Sequence, residues 1–307
     1  MVKEKFVEHK FNRASAALIG TVNDILREYS VQGYRLSLRQ LYYQLVSRAV
    51  IENSVKSYKR TGNLISDARL AGLVDWSMIE DRGRETNFLS HWDNPAEIVR
   101  DASRWFRTYK WGGQSNYCEV MVEKDALSGI LLPVCQELDI RFTANKGYSS
   151  SSAMYEAGKR LSRIFHTEGI EEIHIFYFGD HDPSGIDMTR DIGERLSQFS
   201  RDLVGHMNIH RLALNWDQVE QWQPPKNPAK ETDSRYQAYA DEFGKSSWEL
   251  DAVEPRTLAD LVRDSVTELI DQYQWDLIVN RENEMRDELV KFADEYENPK
   301  KRTKKGK

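Results

Sequence analysis

Between residues 117 and 214 the chain alternates short apolar runs with amphipathic stretches, and this alternation restricts the fold more than any other feature. "YCEVMVE" (117–123), "IRFTA" (140–144), "EIHIFYFG" (172–179) and "NIHRLAL" (208–214) read as strands. "DALSGILLPVCQEL" (125–138), "AMYEAGKRLSRIFHTEG" and "SGIDMTRDIGERLSQF" lie between them and read as helices. Strands separated by helices run parallel, because each helix carries the chain back over the sheet, and the helices then cover both faces. The expected class is α/β with a mostly parallel, Rossmann-like sheet.

The first hundred residues follow a helical period instead. "FNRASAALIGTVNDILREY" and "SLRQLYYQLVSRAVI" have apolar residues at helix spacing, and Ser37 with Gln40 three residues later is a capping-box pattern. A third helix is expected at 55–71, closed by Gly72. Short helices with a basic third member suggest a helix-turn-helix or winged-helix unit over 1–107. "TYKWGGQSNY" (108–117) reads as a linker, and 108–290 as the α/β domain with a polar segment at 215–256 and one or two amphipathic helices at its end. Residues 291–307 are expected to be a disordered basic tail, since "PKKRTKKGK" carries six positive charges and nothing apolar.

Charge narrows the function classes. The formal net charge is -6, so the chain does not coat nucleic acid with overall positive charge, and any DNA contact needs a local patch. From Arg35 to Gly72 there are seven basic residues (Arg35, Arg39, Arg48, Lys56, Lys59, Arg60, Arg69) against Glu52 and Asp67. Lys56, Lys59, Arg60 and Arg69 of the third helix are the candidate contacts to double-stranded DNA. No run of 18 apolar residues occurs and the N-terminal stretch lacks the apolar core of a signal peptide, so a cytoplasmic protein, at the nucleoid when bound to DNA, is expected and a membrane is not. Cys118 and Cys135 are too few for a disulfide framework and too isolated for zinc; two buried free thiols are expected.

In a parallel sheet the functional crevice lies beyond the carboxyl ends of the strands. Glu123 ends the first strand of the α/β half, and Asp180 and Asp182 follow the third. Three carboxylates gathered there repel one another, and hard oxygen donors suit Mg2+ or Mn2+. Capping explains the two aspartates as well: Asp182 precedes "PSG" and can cap the next helix, and Asp180 can hold the turn. His181 between them is expected to point away. Lys124 and Lys146, each in a loop after a strand, suit either phosphate contact or plain solvation.

"VMVEKDA", "KGYSSSSAMYEAGKRL" and "FYFGDHDPSGIDM" together resemble the TOPRIM domain, in the version found in the topoisomerase VI A subunit and the meiotic double-strand-break transesterase. The resemblance implies Glu123, Asp180 and Asp182 as ligands of Mg2+ or Mn2+. It implies a winged-helix domain with a catalytic tyrosine, matched here in "LRQLYYQLV" by Tyr43, with Arg39 four residues before it. Gln40 stands where the family has an acid. Arg39 is one helical turn from Tyr43 and suits stabilisation of a phenolate, whose normal pKa near 10 makes it a weak nucleophile at neutral pH. Of the adjacent Tyr42 and Tyr43, one is expected to pack and the other to face outward.

The implied reaction is DNA cleavage through a covalent 5'-phosphotyrosine link. The implied assembly is a homodimer in which the tyrosine of one subunit serves the metal of the other. No ATP-binding motif is visible, so strand passage calls for a separate ATPase subunit. Two other expectations fit the same residues: a hydrolytic TOPRIM nuclease in which Tyr43 is structural, and a non-catalytic DNA-binding protein. "SSWELDAVEP" (246–255) loosely resembles an acidic stretch near the end of the family's TOPRIM region, which suits Glu249 and Asp251 to supporting the metal from behind its ligands, with capping of the final helix their expected role.

Overall fold

A computed structural model describes residues 3–80, 89–145 and 150–297. The first part holds α1 (Arg13–Val31), β1 (Leu36–Ser37), α2 (Leu38–Ser47), α3 (Val55–Leu70), β2 (Ile79–Glu80) and α4 (Pro95–Trp105). The second holds β3 (Asn116–Val122), α5 (Ser128–Glu137), β4 (Arg141–Ala144), α6 (Ser151–Glu168), β5 (Glu172–Phe178), α7 (Pro183–Phe199) and β6 (Met207–Ala213). There follow α8 (Trp216–Trp222), β7 (Lys226–Pro228), α9 (Tyr236–Phe243), β8 (Ser246–Trp248), α10 (Pro255–Thr267) and α11 (Gln272–Glu297). No helix among the described residues is long and apolar enough to cross a membrane.

The four long strands form a parallel sheet in the order β4-β3-β5-β6. Side chains alternate across it, as the two-residue period of a strand requires. Cys118, Val120, Val122, Phe176 and Phe178 face a core closed by α5 and α10, while Tyr117, Met121, Ile173, Ile175 and Tyr177 face one closed by α6 and α7. Glu119 shares the second face and is fully buried; Arg160 holds it with bonds of 2.6 and 3.0 Å, and the Tyr117 hydroxyl donates to it at 2.6 Å. Both cysteines are buried and free.

α1, α2 and α3 enclose a separate core of Ile19, Val22, Ile25, Leu26, Leu41, Leu45 and Ile65. The capping box forms: Ser37 N donates to Gln40 Oε1 at 2.8 Å, and Ser37 Oγ accepts from Gln40 N at 3.3 Å. Gly72 turns the chain after α3 at φ +72, where a Cβ is unfavourable.

Two expectations about organisation change. The 108–117 segment is anchored rather than a free connector: Trp111 is buried in the sheet core, and its Nε1 donates to the Leu138 carbonyl at 2.9 Å. The supposed tail from 291 is helical as far as Glu297, because α11 lies along α4, with Ala293 fully buried and Asp294 and Glu297 paired to Arg100 at 2.8 and 2.6 Å. Residues 298–307, with the lysine-rich end, lie outside the described residues.

Candidate active site

The order β4-β3-β5-β6 makes the chain leave β3 toward one edge of the sheet and return on the other side of β3 with β5. The crevice beyond β3 and β5 is therefore the topological switch point, the usual ligand position in an open parallel sheet. Glu123 and Asp180 follow those two strands. Glu123 Oε2 accepts from Asp180 N at 2.9 Å, which ties one strand end to the other. Burial raises the pKa of both carboxyls, and the negative charge of Asp180 raises that of Glu123 further.

Asp182 takes the capping role. Its Oδ1 accepts from Gly185 N at 2.6 Å and from Ser184 Oγ at 2.9 Å, and Pro183 is the first residue of α7. A Cβ at position 185 would overlap the Asp180 carbonyl, so only glycine allows the turn to close. Arg211 holds the turn from beneath, donating to the carbonyls of Gly179 and Asp180 at 2.8 and 2.6 Å. His181 sits in a cage of Trp216, Tyr239, Phe243 and Trp248, with Nδ1 2.8 Å from the Tyr239 hydroxyl. Burial pushes its pKa down to about 4, leaving the imidazole neutral.

The backbone of His181 also exchanges two hydrogen bonds with Trp248, at 2.8 and 3.0 Å, and so fastens the β7–β8 hairpin to the sheet end. The residues after β8 then enter the crevice. Leu250 N donates to Asp180 Oδ1 at 3.0 Å. Lys124 Nζ pairs with Asp180 Oδ2, lies 3.1 Å from Glu249 Oε2 and stands 3.6 Å from Asp251 Oδ2. Arg39, arriving from α2, pairs with Glu249 Oε2 and lies 3.5 Å from Asp251 Oδ2. Burial opposes the charge on Lys124 and on Arg39; the surrounding acids outweigh it, so both pKa values rise. Burial likewise opposes ionisation of Glu249, and Lys124 with Arg39 holds it below the ordinary range. Asp251 is different: burial dominates and raises its pKa, and neither carboxylate oxygen has a hydrogen-bond partner.

Among the described residues no three carboxylate, imidazole or thiolate side chains stand grouped to hold a metal ion. Glu123, Asp180 and Asp182 are neighbours, yet each is committed separately: to a backbone amide, to Lys124 and Leu250, and to the cap of α7. The chemistry of the donors nevertheless fits Mg2+ or Mn2+. All are hard oxygens, the buried acids outnumber the cations that touch them, and Asp251 is a buried carboxylate without a hydrogen bond.

Tyr42 and Tyr43 are both buried, at 3% and 4% exposure, where one was expected to face outward. α2 is covered on two sides, by α1 and α3 and by the turn at 250–252, so it has no wholly wet face for either ring. Tyr42 is structural in its contacts: its hydroxyl accepts from Ser54 N at 2.8 Å, at the start of α3. The Tyr43 hydroxyl accepts from Asn227 Nδ2 at 3.2 Å, and the same nitrogen is 3.4 Å from Glu249 Oε1. Tyr43 lines a cleft of about 420 Å³ with Arg39, Tyr58, Asn227 and Glu249. Burial and then Glu249 push its pKa up to about 12, while Asn227 and Arg39 pull the other way and are outweighed.

Of the candidate DNA contacts, Lys56, Lys59 and Arg60 are exposed on α3, whose Val55 and Tyr58 form a wall of the Tyr43 cleft. Arg69 is turned inward: it donates to the Trp76 carbonyl at 2.7 Å and lies over the Trp76 ring. Lys124 is inside the acid cluster, and Lys146 lies outside the described residues. Asn227 and Arg211 had no signal in the sequence; Glu249 and Asp251 were marked by the acidic stretch at 246–255, but neither caps a helix as expected, because both carboxylates face Lys124 and Arg39 instead. Comparison with known family models returns no match, and comparison with curated proteins returns none.

Proposed function

We propose that the chain is a Mg2+- or Mn2+-dependent DNA-cleaving enzyme that uses Tyr43 to form a 5'-phosphotyrosine link, with a TOPRIM-type α/β half and a winged-helix-type helical half. One observation carries the reading. The tyrosine cleft and the acid crevice are joined within one chain, through Tyr43, Asn227, Glu249, Lys124 and Asp180. A merely structural tyrosine has no need of a cleft, and a merely structural turn has no need of buried acids in excess of cations.

In the proposed reaction α3 offers Lys56, Lys59 and Arg60 to the DNA backbone, and the duplex lies over the Tyr43 cleft. The phenol oxygen bonds to phosphorus and the bond to the 3' oxygen breaks. The phenolic proton passes to water, and the departing 3' oxygen takes up a proton. Asn227 donates to the phenol oxygen and so favours its anion, and Arg39 supplies positive charge beside it. A bound divalent ion supplies charge stabilisation to the phosphate, and Glu123, Asp180, Glu249 and Asp251 are the side chains available to hold it. Two nucleophiles are needed for a double-strand break, so a homodimer belongs to the proposal, as does a separate ATPase subunit for strand passage.

One observation favours a second reading, hydrolysis by a metal-dependent nuclease with Tyr43 structural: the phenol is buried and its pKa is pushed up to about 12. Supercoiled DNA incubated with the protein and Mg2+ or Mn2+, then denatured with detergent, separates the two. Protein attached to 5' ends, absent with Tyr43→Phe, supports the transesterase. Free ends that persist with Tyr43→Phe and vanish with Asp180→Ala support the nuclease.

A further inference from the structure

Lys124 is surrounded by acids in a way that a solvated lysine is not. Its ammonium contacts Asp180, Glu249 and Asp251, which come from the end of β5 and from the turn after β8, and its side chain is 24% exposed. Arg39 reaches two of the same three carboxylates, so one ammonium and one guanidinium face three acids and a negative charge is left over. Asp251 has a fully buried side chain, and both its oxygens lack a hydrogen bond, although Oδ2 is directed at the two cations from 3.5 and 3.6 Å. A buried carboxylate left so is costly, and its situation improves when the central charge is two rather than one.

We propose that the divalent-cation site of this chain is the position now held by the Lys124 ammonium, bounded by Asp180, Glu249 and Asp251, and that Lys124 competes with the ion for it. The proposal rests on the metal-dependent reading above and differs from the ligand set that the family resemblance implies, because it takes Glu249 and Asp251 in place of Glu123, which stays on the Asp180 amide, and leaves Asp182 as the cap of α7. A doubly charged ion in place of the ammonium balances the three acids with Arg39 still present. The displaced Lys124, at the mouth of the crevice, is then available to a DNA phosphate. Lys124 thus keeps the acids together before the ion arrives and is a positioning residue in that state.

Binding of Mn2+ to the full-length, DNA-free protein, followed by loss of the free-ion electron paramagnetic resonance signal, tests this without any turnover. The wild-type chain is expected to bind Mn2+, and Asp251→Asn to bind it at least about tenfold more weakly. Asp182→Asn, which retains a capping oxygen, is expected to stay within about twofold. Lys124→Met is expected to bind Mn2+ several-fold more tightly, a gain that misfolding does not produce, and to lose thermal stability that Mn2+ restores. Unchanged affinity in Asp251→Asn, or weaker binding in Lys124→Met, overturns the proposal. If the wild type still cleaves DNA in that event, the proposed function stands and only the ligand assignment fails. A wild-type chain that neither binds Mn2+ nor cleaves overturns both.

Discussion

The acid crevice and the tyrosine cleft lie a few side chains apart and are built on opposite principles. In the crevice the positions follow from the backbone: parallel strands end side by side, and the residues that follow them meet because the sheet holds its own register. In the cleft the positions follow from docking: α2 meets the β7–β8 hairpin and the 250–252 turn, and nothing in the helix itself selects that neighbour. In the crevice Glu123, Lys124 and Asp180 are therefore set by the sheet itself, whereas Glu249 and Asp251, like the whole of the cleft, depend on distant segments closing on one another.

The largest expected effects test whether both regions serve one reaction. Asp180→Ala is expected to lower DNA cleavage at least a hundredfold in a plasmid assay, about the loss that removal of a principal charge-stabilising group brings. Tyr43→Phe is expected to abolish the covalent adduct while leaving Mn2+ binding unchanged. Mixing these two variants asks which chain's tyrosine meets which chain's acids. The contacts within a single chain predict that the mixture stays inactive, and restored cleavage would show exchange between subunits.

Next come changes that separate backbone positioning from docking. Gly185→Ala forces a methyl group against the Asp180 carbonyl and is expected to cost about 1–3 kcal/mol in urea unfolding. In the cleft, Asn227→Ala removes a single donor from Tyr43 and is expected to cost about 1 kcal/mol or less by the same measurement.

The contrast was also legible to different degrees in the sequence. The alternation from 117 to 214 announces the sheet, and with it the convergence of Glu123 and Asp180, because strand period and chain crossover are local properties. The capping box at Ser37 was visible for the same reason. The entry of Glu249 and Asp251 into the crevice was not, since it depends on His181 pairing with Trp248, 67 residues later in the chain, and no periodicity encodes that contact. The inward turn of Arg69 escaped too: a basic residue on a basic helix looks like its neighbours until Trp76 folds back over it.

A pH titration gives a smaller, graded test. Glu123, Asp180 and Asp251 all have pKa values raised above their ordinary range, so the folded chain keeps carboxyl protons that the unfolded chain gives up, whereas burial holds His174 and His181 below the ordinary imidazole range and opposes that effect below about pH 6.5. Stability without metal is then expected to fall as pH rises from about 6.5 to about 8, where the carboxyls act alone, and saturating Mg2+ is expected to flatten the slope. A metal-free melting temperature that climbs over the same interval would contradict it. The smallest effect expected is the coupling between Arg39 and Glu249. Because Arg39 is 44% exposed, a double-mutant cycle is expected to return only about 0.5–1 kcal/mol.

The order in which the site residues occur along the chain has a consequence for synthesis. Arg39, Tyr43 and the basic face of α3 are made early, and Asp251 comes about 200 residues later. At a translation rate of roughly 5–20 residues per second, an emerging chain spends on the order of 10–40 s with its tyrosine made and its acids incomplete. Under the proposed function, a ribosome-bound chain that has folded its helices would touch DNA during that interval without cutting it, and the ability to cut would come only when the β7–β8 hairpin closes.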